Sequence, residues 1–334
     1  MSTRKSFIVC LATILLLVSL QSISFASTDL HAQYVGELIS YIEETPVTAD
    51  SVIDLRDISS KQIIAACYTL STGGYAIIDL QINMVYEYSL DTASPYHGVS
   101  TACYYAGPNN YFTEESPGLF VHTKNISIAV DAVSIARSMS DFSSYRASRS
   151  NIKSLREKLA DLEDARQNPM RPSETGSLTS SLSTLWVNDY CGPTSMHCLL
   201  KYQGKLRSPN TGTTDEIYLI AGYTGQYVNL DTLVSGTKAY LKAYGISGTV
   251  YSSSYNYSTI KSRIDANKPI TLGTNGGGLV SGGHVQTIHK YSRLFLGGDD
   301  IYTLYVNDSW GSNNITITYE WTPPSYLKDH VYVT

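Results

Sequence analysis

The sequence predicts an α+β fold built from two units, and three observations support this prediction. In the C-terminal half, a helix-forming segment that starts at Cys191 precedes a series of strand-like runs. The N-terminal half has a helix and strand-like runs of its own. A segment rich in Pro, Ser and Thr separates the halves. Helices followed by antiparallel strands are typical of α+β domains.

The chain begins with the features of a secretory signal peptide. Arg4 and Lys5 precede a short apolar run over residues 7–20, and Ser24-Phe25-Ala26 provides a small-residue cleavage site. The apolar run is shorter than the ~20 residues that a membrane anchor needs. We therefore expect residues 1–26 to be removed and the mature protein to be secreted, either free outside the cell or associated with its surface, with no membrane segment.

Residues 27–142 are expected to form a small α+β domain. Apolar residues at helical spacing predict a helix over 32–43. Strand-like runs bounded by turn residues follow it at 63–70, 75–80, 84–90, 119–123 and 126–130. A helix over 128–139 is an alternative that the pattern leaves open. This part of the sequence contains no cluster of residues typical of an active site.

Residues 143–184 are expected to connect the two units. Over 151–166, charges alternate with leucines, which is typical of a helix on the surface or bridging through solvent. Residues 167–184 are rich in Pro, Ser, Thr and Gly and lack periodicity, which predicts an exposed linker open to proteolytic cleavage.

Residues 185–334 form the second predicted unit. Helices are expected from Cys191 onward, over 230–244 and over 257–266, and strands at 270–273, 284–290, 301–306 and 315–320.

Cys191 lies where a helix is expected to begin, in the run Tyr190-Cys191-Gly192-Pro193-Thr194-Ser195. Proline is tolerated in the first turn of a helix because its missing N–H would have no partner there. The unpaired amide groups and the positive end of the helix dipole favour a thiolate over a thiol. Cys191 is therefore a candidate nucleophile.

A nucleophilic cysteine needs a base and a group that orients the base. His284 follows a glycine-rich segment and opens a predicted strand, and it is our candidate base. The turn Asn307-Asp308-Ser309-Trp310 ends the next strand. Asp308 is the candidate orienting residue, with Asn307 as a second candidate because adjacent strand residues point to opposite faces. Trp310 is placed to shield this contact from water.

The three motifs Tyr-Cys-Gly-Pro-Thr-Ser, Gly-Gly-His-Val-Gln-Thr-Ile and Val-Asn-Asp-Ser-Trp-Gly, in this order, resemble those of papain-like cysteine peptidases. The resemblance covers about residues 185–320 and is closest to the bacteriocin-processing (double-glycine) peptidase-like group, whose secreted members occur in Gram-positive bacteria. It implies Cys191 as nucleophile, His284 as base and Asp308 as orienting residue. The family usually places an oxyanion-stabilising Gln shortly before the nucleophile. None occurs here between Gln167 and Cys191, so Asn188 is the oxyanion candidate.

The run Gly-Gly-Tyr-Ala-Ile-Ile-Asp at 73–79 is similar to the propeptide of streptopain-type relatives. The resemblance implies that the N-terminal region is a propeptide and an intramolecular inhibitor, removed after cleavage in the linker. A binding module that stays attached is the alternative.

Composition excludes several other classes of function. A net charge of −5 without a basic stripe argues against nucleic-acid binding. No Cys or His cluster has the spacing of a zinc site, and we expect no metal or cofactor. The four cysteines outside the signal peptide are too few for a disulfide scaffold, although a Cys67–Cys103 bridge is left open.

The sequence thus predicts a secreted cysteine peptidase made as a zymogen, with peptides or proteins as substrates. Two alternatives remain. One is a non-catalytic secreted binding protein whose oxyanion site has decayed. The other is an amidase or acyltransferase that acts on cell-wall peptides through the same Cys-His pair.

Overall fold

A long sheet with helices packed against it forms the framework of this chain. The computed structural model describes residues 30–138, 140–168, 174–208, 213–226, 228–274, 283–311, 314–320, 323–324 and 326–334. The predicted signal peptide, residues 1–26, lies outside the described residues, as does most of the glycine-rich segment before His284. No helix in the described ranges combines the length and the apolar character needed to cross a bilayer.

The N-terminal half contains one long helix followed by a run of strands and three further helices. Its elements are α1 (30–43), β1 (Ala49–Arg56), β2 (Ile63–Leu70), β3 (Tyr75–Asp79), β4 (Met84–Ser89), β5 (Cys103–Tyr105), β6 (Tyr111–Ser116), β7 (Leu119–His122), β8 (Asn125–Asp131), α2 (Ala132–Ser138), α3 (Ser140–Ser148) and α4 (Leu155–Gln167). The predicted helix over 32–43 and the predicted strands are confirmed. The segment 128–139 contains both of the predicted structures, since its first part ends β8 and residues 132–138 form α2, with residue 139 outside the described residues.

The C-terminal half begins with helices and ends with strands. Its elements are β9 (Glu174–Ser177), α5 (Cys191–Tyr202), α6 (Thr214–Thr224), α7 (Leu230–Ala243), β10 (Val250–Ser254), α8 (Tyr257–Asp265), β11 (Ile270–Thr274), β12 (His284–Leu296), β13 (Asp299–Asn307), β14 (Ile315–Glu320) and β15 (Asp329–Val333). The predicted helices after Cys191, over 230–244 and over 257–266 are confirmed, and so are the four predicted strands.

Thirteen strands from the two halves form one sheet. Its order is β11-β12-β13-β14-β4-β3-β2-β1-β5-β6-β7-β8, with β9 paired to β12. The halves meet where β14 pairs antiparallel with β4, with Thr316 opposite Tyr88 and Ile317 opposite Glu87. A second, two-stranded sheet joins β10 to β15. All described pairs are antiparallel except β1 with β5, so the mixed helix and sheet content agrees with the predicted class.

Both large hydrophobic clusters contain residues from both halves. The first joins N-terminal residues such as Tyr86 and Phe142 to Ile288 and Leu304 of the C-terminal strands. In the second, α1, α4 and β2–β4 pack against the far ends of β12 and β13, at Leu294, Leu296 and Ile301. A third cluster, around α5, α6 and α7, belongs to the C-terminal half alone.

Two local expectations differ from the structure. Glu174–Ser177, which the sequence places in an exposed linker, form β9 and pair with Lys290 to Arg293 of β12. In α4, Leu155 and Leu162 are buried in the second cluster rather than lying on a solvated surface. The cysteines of the described residues are all free, so the bridge that the sequence left open between Cys67 and Cys103 is not formed.

Candidate active site

Cys191 is the first residue of α5. Tyr190 precedes it as the N-cap and makes no side-chain capping hydrogen bond. The main-chain groups of Cys191 and Gly192 hydrogen-bond to the sulfur of Cys191 instead. Glycine at the next position lets the helix lie close to its neighbour, because a Cβ at Gly192 would lie 2.1 Å from Cγ2 of Val228 and one of the two would have to shift. The local sequence therefore fixes both the start of the helix and its close approach to the neighbouring segment.

Cys191 is half-buried as a residue, and the pKa of its thiol is raised. Burial is the largest cause, because it disfavours the charged thiolate. Main-chain hydrogen bonds from Val285, Gly192 and Cys191 itself act in the opposite direction, and the charge of Asp189 adds a smaller upward effect. Since Val285 directly follows His284, this contact brings the sulfur beside the start of the histidine strand.

His284 is the first residue of β12 and is 1% exposed. Its Nε2 donates a hydrogen bond to the main-chain oxygen of Asp308 at 2.5 Å. The indole of Trp310 stacks on the imidazole, with ring centroids 3.9 Å apart and planes 18° apart. The predicted shielding by Trp310 thus corresponds to a face-to-face contact with the ring itself.

Burial lowers the pKa of His284 to about 3, although the hydrogen bond to Asp308 opposes this shift. The imidazole is therefore neutral at ordinary pH. Its Nδ1 is buried and has no hydrogen-bond partner among the described residues. The raised pKa of Cys191 and the lowered pKa of His284 both disfavour the ion pair that a reactive cysteine uses, so in this conformation burial outweighs the effect of the helix start that the sequence favours.

Asp308 and Asn307 both shape the turn that follows β13. Asp308 meets His284 through its main-chain oxygen, while its carboxylate Oδ1 accepts the N–H of Trp310 at 2.8 Å. The amide of Asn307 donates to the main-chain oxygen of Ser183 and accepts the N–H of Ser309. The sequence had assigned the contact with His284 to a side chain, and this conformation makes it through the backbone. The catalytic roles of both residues remain predictions.

Asn188 lies half-buried in the turn just before Tyr190. Asp189, which follows it, has a φ of 64°, a left-handed conformation that Asp tolerates better than most residues. Asn188 therefore lies in the turn three residues before Cys191, the first residue of α5. Its role in oxyanion binding stays a prediction.

The N-terminal half also reaches this site, which the sequence did not predict. The ring of His122, the last residue of β7, lies 5.1 Å from the ring of Trp310. Its Nε2 donates to the main-chain oxygen of Asn109 and its Nδ1 accepts the N–H of Lys124, which fixes a neutral tautomer. Burial lowers the pKa of His122 to about 4, and His122 in turn slightly lowers that of His284.

A pair of buried serines was also missed by sequence reasoning. Ser195 Oγ donates to the main-chain oxygen of Val285 at 2.8 Å and lies 2.7 Å from Ser309 Oγ. Ser195 follows Cys191 by four residues, so the spacing of one helical turn could have placed it on the face of the nucleophile.

His330 has a structural role, and the described residues offer no metal site. His330 is buried and bonds to the main chain of Asn256 and Thr271. Among the described residues, no group of three His, Cys, Asp or Glu side chains could hold a metal ion.

The model of the Peptidase_C39 like family matches residues 169–329. The match covers the Cys191 helix, the His284 strand and the Asp308 turn. It supports a papain-like cysteine peptidase family for this chain and points to a cysteine-type hydrolase that acts on peptides or proteins. No curated protein matches the chain.

Proposed function

We propose that this chain is a secreted bacterial cysteine peptidase made as a zymogen, with Cys191 as nucleophile, His284 as base and Asp308 as orienting residue. The observation that carries the proposal is the meeting of three elements. The N-terminus of α5 bearing Cys191 contacts the main chain next to His284, and His284 is bound to Asp308. The family match spans the same three elements.

In the active form, His284 takes the thiol proton of Cys191 and the thiolate attacks the peptide carbonyl. The tetrahedral oxyanion is stabilised by the amide N–H at the start of α5, with Asn188 as the second donor. The imidazolium protonates the leaving amine, which leaves an acyl-enzyme. His284 then activates a water molecule that releases the acyl group.

The N-terminal region acts as an intramolecular inhibitor in this proposal. The supporting contacts are those of His122 with Trp310 and of Trp310 with His284, which keep the imidazole buried and uncharged. A base with a pKa of about 3 is poorly matched to accept a proton near neutral pH. Cleavage in the linker over 167–184 is the first step towards removing this cover.

A peptide library incubated with the purified protein, before and after limited proteolysis, tests the activity. We expect hydrolysis once proteolysis has cut the linker and also digested the N-terminal half, because the shared sheet and core hold the two halves together after a single cut. We expect this hydrolysis to be lost in Cys191→Ala and His284→Ala. Cys198→Ala is the matched control, because Cys198 lies in the same helix but is buried and bonded to the main chain at Ser183. Equal hydrolysis by wild type and Cys191→Ala would refute the proposal.

Two further readouts separate the alternatives. Cleavage of cell-wall peptides without cleavage of library peptides would assign the amidase class. Absence of any hydrolysis or thiol labelling would assign a binding protein. Mass spectrometry of the secreted product tests the zymogen, since a stable chain that starts near Ser27 would argue against processing.

A further inference from the structure

Two buried hydroxyl groups connect the three elements of the proposed site. Ser195 lies one turn after Cys191 in α5, and Ser309 follows Asp308 in the turn after β13. Their side chains are 0% and 1% exposed, and their Oγ atoms lie 2.7 Å apart. Ser195 Oγ is also 2.8 Å from the main-chain oxygen of Val285 in β12.

The proton of each hydroxyl can be assigned by counting donors. A main-chain oxygen only accepts, so the single proton of Ser195 goes to Val285. Ser195 Oγ therefore accepts from Ser309, whose own proton completes the chain. The hydrogen-bond chain runs from Ser309 through Ser195 to Val285, and every hydroxyl in it has its proton placed.

Each end of this chain adjoins a group of the proposed triad. Val285 follows His284, and its main chain also hydrogen-bonds to the sulfur of Cys191. Ser309 follows Asp308, whose main-chain oxygen binds His284. Ser309 has a φ of 58°, and its N–H is held by Asn307, so the turn presents the hydroxyl inward in an unusual backbone conformation. Thr287 adds a bond from β12 to the main-chain oxygen of Ser195.

We propose that Ser195 and Ser309 are positioning residues, whose hydrogen-bond chain sets the spacing between the Cys191 helix, the His284 strand and the Asp308 turn. This inference rests on the proposed function for its meaning in catalysis. These hydrogen bonds hold the main chain of the three elements and do not involve the imidazole. We therefore expect them to persist whether the N-terminal region covers the His284 ring or has left it.

The reactivity of the Cys191 thiol reports this spacing without requiring turnover. Alkylation by iodoacetamide, measured against pH on the full-length protein, gives the midpoint of thiol ionisation. Cys67, Cys103 and Cys198 are each no more than 3% exposed, so Cys191 is the accessible cysteine in the described chain, and Cys191→Ala supplies the background. The charge of Asp189 acts on the sulfur in every variant and cancels in the comparison.

Ser195→Ala is expected to raise the midpoint by about half a unit to one unit, a threefold to tenfold lower thiolate fraction at fixed pH. The physical reason is that the Val285 main chain loses the hydrogen bond that holds it against α5, which weakens the hydrogen bond from Val285 to the sulfur that favours the thiolate. Ser309→Ala removes only the outer bond and should shift the midpoint less. The double variant should match Ser195→Ala, because both bonds pass through Ser195.

Thr271→Val is the matched control. Thr271 is 1% exposed, and its hydroxyl bonds to Val331 between β11 and β15, away from the site. Loss of this hydroxyl should lower the thermal unfolding temperature without moving the midpoint. An unchanged midpoint in Ser195→Ala, an equal shift in Thr271→Val, or additive shifts in the double variant would each overturn the inference.

If Ser195→Ala does not fold, the test depends on Ser309→Ala alone. The absence of an upward shift of the ionisation midpoint in Ser309→Ala would then overturn the inference. The two proposals fail separately. Non-additive midpoint shifts without peptide hydrolysis would refute the peptidase function and support the positioning of the Cys191 thiol by the two serines. Hydrolysis that requires Cys191, without such shifts, would support the peptidase function and refute the positioning role.

Discussion

The imidazole of His122 shows how burial of single residues couples this fold to pH. Its folded-state pKa is about 4 against an ordinary value of 6.5, and burial causes the shift. Between these values the unfolded chain binds a proton that the folded chain does not, so stability falls as the pH falls from 6.5 to about 4. His284 and His330 act in the same direction.

Glu87 acts in the opposite direction. Burial raises its pKa from 4.5 to about 8, so the folded chain holds a proton that the unfolded chain releases, and stability is lost as the pH rises through this window. Between pH 4.5 and 6.5, the effect of the three histidines on stability therefore opposes that of Glu87. Because the histidines are more numerous, we expect stability to rise with pH in this range.

His122→Gln should reduce the pH dependence of stability by about one proton. The wild-type free energy of unfolding should fall by on the order of 3 kcal/mol more than that of the variant between pH 6.5 and 4. Urea unfolding at a series of pH values measures this difference. His97→Gln is the control, because its side chain is exposed in the folded chain, and parallel curves for wild type and His122→Gln would contradict the prediction.

Gly192→Ala should disturb the start of α5. The new Cβ would lie 2.1 Å from Val228, so the side chain of Val228 or the helix start has to move. We expect a loss of about 1–3 kcal/mol in unfolding free energy, with slower alkylation of Cys191. Gly222→Ala, also within a helix but with no atom within 4 Å of its Cβ, should instead gain up to about 1 kcal/mol. Chemical denaturation of both variants checks the pair, and equal effects would argue against the steric explanation.

Among single residues of the candidate site, the sequence could identify those whose chemistry depends on their neighbours along the chain. The Gly-Pro flank marked Cys191 as the start of a helix, and the structure confirms that start. His122 could not be found in this way, because only the tertiary fold brings it to Trp310. The main-chain contact of Asp308 was also out of reach, since no sequence pattern distinguishes a backbone acceptor from a side-chain one.

Among the elements, α4 departs most from its expected role. Its alternating charges suggested a solvated surface, but one basic residue of the helix and one that precedes it form ion pairs with a carboxylate in the C-terminal half. Lys158 and Arg149 both bind Glu320 of β14, at 2.5 and 3.0 Å, and the three side chains are 8–16% exposed. A sequence pattern gives the charge of a residue but not its distant partner.

Glu320→Gln should strongly weaken the attachment of α4. The substitution leaves Lys158 nearly buried with no carboxylate partner in this pair, and removal of one partner from such a pair costs roughly 3 kcal/mol or more. Glu37→Gln breaks the ion pair of Arg166 with Glu37, where both side chains are more than a third exposed, and should cost less than about 1 kcal/mol. Thermal and urea unfolding compare the two, and similar losses would refute the argument.

The strands that the sequence predicted match the structure, but other elements, both short and long, were missed. The long ones are β1, an eight-residue strand inside the sheet, and α6, an eleven-residue helix. The strands β2, β3, β4 and β14 follow their predicted limits within a residue or so. The missed strands include β5, with three residues, and β9, in a segment whose composition is typical of a linker. Pairing with β12 overrides that composition, because the partner strand supplies the hydrogen bonds.

In the whole molecule, the two halves are joined more closely than a removable propeptide suggests. The sheet runs through the junction of β4 and β14, and two of the three hydrophobic clusters contain residues of both halves. Glu43 of α1 accepts hydrogen bonds from Tyr88 and from Tyr305 of β13. A sequence reveals which strands exist, but their neighbours in the sheet depend on contacts between distant segments, so this junction was not predictable.

Cleavage of the chain between Asn168 and Glu174 should therefore leave the two fragments bound to each other. Leu294, Leu296 and Ile301 are no more than 6% exposed because residues of the N-terminal half cover them, and separation would expose them together with the edges of β4 and β14. A continuous sheet with a shared core resembles an obligate interface rather than a transient one.

A site for a sequence-specific protease inserted between Asn168 and Glu174, followed by size-exclusion chromatography, tests this expectation. Co-elution without denaturant and separation in urea are expected. Leu162→Asp, which places a charge in the shared core at a position 1% exposed, should separate at a lower urea concentration. Fragments that elute apart in buffer alone would show that the linker, rather than the sheet and core, holds the halves together.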